Sequence, residues 1–331
     1  MTQTNGIAVG ACTLFALMCL ASGCSRQKSP VSEKVATDRL REVVHFPAEV
    51  VVKDRLSRAI SFKQAPQKIV SLSPSTTELL FAIGVGPTLI GATSNCNYPP
   101  EALLVPRVGG GTLEGISRET LVGLEPDLVL CKWDNHEPLI GLLERAGIPV
   151  VAMGPETLDE LFDEARMLGR ITGHESDANA LIQSMTDRLK SLLARVKSIP
   201  VGDERRVFYE VWDDPLMTAG PKSFIGEMIR IGRMENIFED AQVRYPRVSS
   251  EAVLARNPEF VLAPSTHGEK VEFSKLSARP GWSIMTAVAK KQVYLIDGDQ
   301  ISRCGPRLLD ALEQMLDAVY PLNKPVEVPS T

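Results

Sequence analysis

At 331 residues and 44% hydrophobic content, the chain is longer than one ordinary core usually organises, so two domains are expected. A formal net charge of -5 leaves no basic surplus to displace counterions from phosphates, which argues against a nucleic-acid partner.

Residues 1–24, MTQTNGIAVGACTLFALMCLASGC, carry no charged side chain, and the run from Ile7 to Leu20 has the length of an export-signal core rather than of a membrane span. The run ends in ASGC at 21–24, which resembles the lipobox at which bacterial lipoproteins are cleaved and acylated, here on Cys24. Ala21 stands where leucine is commoner, and a plain secretory signal or an uncleaved anchor is the alternative. Cys12 and Cys19 belong to the signal, leaving Cys96, Cys131 and Cys304. An odd number in an exported protein argues against a disulfide framework.

Residues 25–42 are polar and mixed in charge, as expected of a solvated tether between a lipid anchor and a domain. The segment 43–156 then reads as a first α/β lobe. VVVKDRLSRAISF predicts two short strands about a charged turn. In QKIVSLSPSTTELLFAIG, the strand Ile69–Leu72 leads to a helix that Ser75 and Glu78 are expected to open as a capping box and Gly84 to close. Further strands are expected at 88–92, 128–131 and 149–152, with Ser117 capping a short helix and a helix over 137–146 stopped by Gly147. Strands alternating with helices at this spacing predict a parallel sheet.

Residues 157–200 are expected to form connecting helices. In 177–197 an apolar stripe keeps helical period for about five turns without Gly or Pro. A stiff helix joining two lobes would permit only a small closure. The segment 201–322 predicts a second α/β lobe, with strands at 206–210, 260–262 and 293–296, a helix near 224–231 and a closing helix over 307–319. Residues 323–331 are a tail.

The phrase ISRETLVGLEPDLVL at 116–130 recurs as VSSEAVLARNPEFVL at 248–262. The copies align without a gap and pair Ser117 with Ser249, Glu119 with Glu251, Pro126 with Pro258 and Asp127 with Glu259. Such fixed order predicts two related lobes.

The stretches VSLSPSTTELLFAIG at 70–84, CNYPPE at 96–101, RVGG at 107–110, the two repeat phrases, YEVWDDPLMTAG at 209–220 and SRCGPRLLDALE at 302–313 carry a resemblance that covers residues 66–320. The chain is similar to the helical-backbone substrate-binding proteins that serve ABC importers of cobalamin and iron-siderophores, and within them to the cobalamin binders. The resemblance implies two α/β lobes facing each other across a cleft, with ligand held at the carboxyl ends of the strands, where open parallel sheets generally bind ligands. Mapped onto that arrangement, Asn95, Cys96, Tyr98, Lys132, Trp133 and His136 face the cleft from the first lobe, and Trp212, Met217, Tyr245, Asp299 and Arg303 from the second. Asn95, Leu113, Lys132 and Met217 stand where the cobalamin binders have aromatic residues; Asp299 and Arg303 match polar contacts to the ligand's amide rim. The resemblance further implies that Glu119 and Glu251 dock onto arginines of the two transmembrane permease subunits.

Each residue has a plainer explanation as well. Trp133 and Trp212 could pack on the core, Arg303 could pair with Asp299, and an acid in a first helical turn is stabilised by the free N–H groups there. The cysteines match no zinc spacing, so neither a metal nor a resident cofactor is expected, and GGG at 109–111 lacks the Lys and Ser/Thr of a phosphate loop. The expected ligand is a corrinoid, with a ferric siderophore or haem as the alternative, which would draw on Lys132 and Arg303 against an anion. An extracellular enzyme on the same scaffold remains a separate possibility, although GxSxG, HExxH and CxxC are all absent. The expected product is a monomeric, membrane-anchored lipoprotein of the periplasm or cell surface.

Overall fold

The computed structural model describes residue 46 and residues 49–134, 136–266 and 273–322. The export signal, Cys24, the tether over 25–42 and the tail over 323–331 lie outside the described residues.

An antiparallel hairpin, β1 (Val50–Lys53) and β2 (Ala59–Phe62), comes first. Its turn is held by Asp54, whose carboxylate accepts the backbone N–H groups of Leu56 and Arg58. The first-lobe sheet follows, built from β3 (Ile69–Ser71), β4 (Leu89–Ala92), β5 (Leu128–Lys132) and β6 (Val150–Met153) in the order β4-β3-β5-β6, with every pair parallel. These strands are mostly apolar, apart from Ser71 and Lys132 at their carboxyl ends, because helices cover both faces. The helices are α1 (Pro74–Ala82), α2 (Arg118–Gly123), α3 (Glu137–Arg145) and α4 (Leu158–Thr172).

The opening of α1 corrects the expected capping box. Ser73 is the capping position, Pro74 supplies the first helical residue with its φ already set, and Ser75 lies inside the helix. Glu78 therefore turns into the protein, where it is 4% exposed, rather than back to its own helix start.

After α4 the chain reverses at Gly173, whose φ of 75° suits glycine, into α5 (Glu175–Lys197). At ~1.5 Å per residue, 23 residues span roughly 34 Å. This helix packs on α1 of the first lobe, on α4, and on α11 (Leu308–Val319) of the second. Arg188 pairs with Asp310 and Glu313, and Arg195 with Asp317, along the last contact.

The second-lobe sheet contains β7 (Arg205–Asp213), β8 (Leu216–Thr218), β9 (Met234–Asn236), β10 (Phe260–Pro264) and β11 (Val293–Ile296). The strands β11, β10, β7 and β9 run parallel, while β8 folds back antiparallel on the far end of β7. The strand expected at 206–210 is β7, but its continuation to Asp213, the return strand β8 and the short β9 were not legible in the sequence. Helices α6 (Phe224–Ile231), α7 (Ser250–Arg256), α8 (Phe273–Ala278), α9 (Thr286–Ala289) and α10 (Gly298–Ile301) complete the lobe with α11.

The lobes share one core. A single buried cluster runs from Ile69 and Leu80 through Leu168 and Ile182 to Val207, Leu262 and Leu312, while the outer face of each sheet has its own smaller cluster. A continuous apolar core through both connecting helices resists wide opening, since separating it would expose packed side chains to water.

The repeated phrase is repeated structure. Ser117 and Ser249 each accept an N–H from three residues on, at Thr120 and Ala252. Glu125 and Asn257 both take positive φ, at 48° and 39°. Asp127 accepts the N–H groups of Gln67 and Lys68, and Glu259 that of Arg206, so the paired acid secures the start of the neighbouring strand in each lobe.

Candidate functional site

A cleft of about 570 Å³ opens between the lobes at the carboxyl ends of the strands. From the first lobe it is lined by Ser73 and Ser75 at the start of α1, by Asn95 and Asn97 after β4, by Lys132 at the end of β5, and by Glu156 after β6. The second lobe supplies Phe224, Thr266, Asp299, Ser302, Arg303 and Cys304. This is where open parallel sheets bind ligands, because the strand ends point their loops at a common crevice. A cavity of similar size, about 560 Å³, is lined by Arg205, Phe260 and Gln292 at the amino ends of β7, β10 and β11. Its position at the opposite end of the sheet makes it the poorer candidate.

A polar network crosses the cleft. Glu78 accepts from Arg303 Nη1 at 2.8 Å, from Arg307 Nε at 2.8 Å and from Arg307 Nη2 at 2.6 Å. The other contacts of Arg303 are Asn97 Oδ1 at 2.8 Å, the Asn95 carbonyl at 3.2 Å and Asp299 at 2.9 Å. Asn97 in turn donates from Nδ2 to Asp299 at 3.0 Å. Both partners of Glu78 come from the other lobe, so the carboxylate joins the lobes. Hydrogen bonding to Glu78 raises the pKa of Arg307, whose guanidinium carbon also lies 3.8 Å from the centre of the Tyr98 ring.

A second crossing involves Arg244, which pairs with Glu156, approaches Asp134 at 3.9 Å and lies over the Trp133 ring at 5.5 Å. Burial raises the Glu156 pKa above the usual carboxylate range, with Arg244 opposing. Lys132 reaches Asp134 at 3.4 Å.

Of the residues expected at the cleft, Asn95, Lys132, Asp299 and Arg303 line it. Asn95 reaches it across Gly111, where an added Cβ would lie 2.3 Å from Asn95 Nδ2. Cys96 is corrected to a core residue: it is 0% exposed and its sulfur lies 3.2 Å from Thr93 Oγ1. His136 is also in the core, where Nδ1 accepts the Lys132 N–H and burial lowers its pKa, favouring the neutral ring. Tyr98 stands outside the lining, beneath Arg307. Trp133 packs partly buried under Arg244 and against the outer cluster of its lobe.

The expected second-lobe aromatics are placed differently too. Trp212 is exposed, with Nε1 donating to the Asp214 carbonyl at 2.8 Å, and Met217 is its cross-strand partner in the β7–β8 hairpin. Neither belongs to the lining. Tyr245 packs on the core, edge-on to Phe224 with ring centres 6.4 Å apart. Phe224 is therefore the aromatic side chain in the lining. Sequence reasoning missed Ser73, Ser75, Asn97 and Glu156; the signal available was the SLSPST stretch, where the capping box expected of Ser75 hides its place at the cleft. Glu119 and Glu251 are exposed in the first turns of α2 and α7. Hydrogen bonds from its own backbone and from Ser249 lower the Glu251 pKa.

Comparison with known proteins agrees with this architecture. A model of the periplasmic binding protein family matches residues 69–300. The chain is 32% identical over 318 residues to the uncharacterized ABC transporter substrate-binding lipoprotein YvrC of Bacillus subtilis, covering 95% of this chain and 96% of that one. It is 29% identical over 260 residues to the vitamin B12-binding protein of Salmonella typhimurium, covering 78% and 92% respectively. A periplasmic heme-binding protein from Pseudomonas aeruginosa superposes with a TM-score of 0.69 at 25% identity, over 80% of this chain and 96% of that one.

Proposed function

The chain belongs to the periplasmic binding protein family, and from that premise we propose that it captures a corrinoid outside the cytoplasm and delivers it to the paired permease subunits of an ABC importer. The charge balance in and around the cleft carries this reading. Four carboxylates, of Glu78, Asp134, Glu156 and Asp299, meet four cations, of Lys132, Arg244, Arg303 and Arg307, and each cation has an acidic partner within 4.0 Å. A wall without spare charge suits a ligand whose rim is made of neutral amides. The hydroxyl and amide side chains of Ser73, Ser75, Asn95 and Asn97 supply both donors and acceptors for such a rim.

A haem or an anionic ferric siderophore, the alternative supported by the heme-binding neighbour, would need cations free to meet it. Lys132 and Arg303 are already paired. The cleft volume of about 570 Å³ falls within the ~300–1,000 Å³ usual for small-molecule sites. A cobalamin with its nucleotide is larger, so its capture would need the lobes to part.

Delivery would use Glu119 and Glu251, which the repeat sets in equivalent exposed positions, one per lobe, as a pseudo-twofold surface for a twofold partner. Acylation of Cys24 would hold the protein at the membrane, as the lipoprotein relative suggests. Titration of cyanocobalamin and cobinamide against tryptophan fluorescence tests the ligand, since Trp133 stacks on Arg244 beside the cleft. Saturable quenching is expected. No response at high micromolar corrinoid, together with tight binding of haem or a ferric siderophore, would move the assignment to the alternative.

A further inference from the structure

We propose that Glu78, buried behind the cleft lining, is the residue that makes this site select neutral over anionic ligands. The inference rests on the reading of the cleft as the ligand site. Glu78 is 4% exposed and is absent from the lining, so it acts through Arg303 and is a positioning residue.

The geometry shows what its charge does. Arg303 lines the cleft and divides its guanidinium between Glu78 and Asp299, while the two-point contact of Arg307 is to Glu78 alone. Two carboxylates thus face two guanidiniums. Without the Glu78 charge, Asp299 remains for Arg303, while Arg307 keeps its contact with the Tyr98 ring and a weaker attraction to Asp297 but loses its directly bonded carboxylate. The wall then holds one uncompensated positive charge, in a site where partial burial limits screening. A cleft of the same shape would change from neutral-selective to anion-selective. Specificity of this kind arises as much from cancelling an attraction for the wrong ligand as from contacts to the right one.

The test compares ligands of one shape and different charge: cyanocobalamin and its monocarboxylic acids, in each of which one rim amide is hydrolysed. Glu78→Gln retains an acceptor oxygen for the arginines but removes the charge. It is expected to shift the affinity ratio toward the acids on the order of tenfold, the scale of one hydrogen bond to a charged group, and the shift should shrink as salt rises. Arg303→Gln should move the ratio the opposite way, so one variant that fails to fold leaves the other to decide. A purely structural role would weaken both ligands alike and leave the ratio and its salt dependence unchanged, which overturns the proposal. If the wild-type protein binds neither corrinoid, the corrinoid reading fails separately. Haemin then serves as the probe, and Glu78→Gln must tighten it and Arg303→Gln weaken it; no opposed shift sinks the inference.

Discussion

Glu78 and Arg307 form a two-point bridge between the lobes, with Nε and Nη2 of the arginine donating to the two carboxylate oxygens at 2.8 and 2.6 Å. The acid stands on α1, which packs on the connecting helix α5, and the arginine caps α11, which packs on the same helix from the other lobe. The bridge thus closes a loop of contacts through α1, α5 and α11. Removing one partner of a buried pair leaves the other charge without compensation, at a cost of about 3–5 kcal/mol. Glu78→Ala is expected to lower stability by an amount near the lower end of that range, and Glu78→Gln by less because an acceptor remains. Urea unfolding of both variants checks this; equal and negligible losses would show that the bridge contributes nothing net.

Glu164 makes stability depend on pH. It is 8% exposed on α4, accepts the Gly154 N–H at 2.7 Å, and burial pushes its pKa from 4.5 to about 8 despite that hydrogen bond and Arg55. Glu160 and the Cys304 thiol are the other titratable groups near it. Between those two values the folded protein holds a proton that the unfolded chain has released. Stability contributed by this group is therefore full below about pH 4.5 and declines as pH rises to about 8. Glu156 and Glu227, also raised by burial, act in the same direction. Glu164→Gln should flatten the decline and stabilise the protein at pH 8 by a few kcal/mol, on the order set by ~1.4 kcal/mol per pH unit. Denaturant melts at pH 5, 6.5 and 8 measure it, and an unchanged slope in the variant counts against this assignment.

Reversing the charges of the exposed pair, Glu119→Arg with Glu251→Arg, should abolish importer-dependent uptake while ligand affinity and melting temperature remain near wild type. Both side chains sit at helix starts with their carboxylates in solvent, so little folding energy is at stake. Uptake that survives the double reversal, or a parallel fall in ligand affinity, would show that these acids do not dock the permease.

Cys24→Ala should release the protein from membranes without changing ligand binding, because the cysteine precedes the tether and the folded lobes. Mass spectrometry and fractionation, with and without globomycin, decide it. Identical mass and distribution in both conditions would leave a plain secretory signal or an uncleaved anchor as the explanation.

Local rules carried the sequence a long way. Alternating strands and helices, the caps at Ser117 and Ser249, the stop at Gly147 and the span Phe224–Ile231 were legible because each depends on residues within one or two turns. The duplicated phrase also identified the paired lobes, though not the work of Asp127 and Glu259. Those acids bind backbone groups 53 or more residues away, and no local pattern reports such a partner.

The cleft was decided by tertiary structure. Sequence could assign a loop to the strand ends but not the direction of each side chain, and neighbours in one loop meet opposite fates: Asn95 lines the cleft over Gly111 while Cys96 is sealed in the core. Glu78 shows the same division. The sequence determined that it lies on the first helix after β3, and a helix-capping role satisfied every local rule. Its pairing with Arg303 and Arg307, 225 and 229 residues away, exists only because the packing of both lobes on α5 brings those guanidiniums to a carboxylate that would otherwise be buried alone.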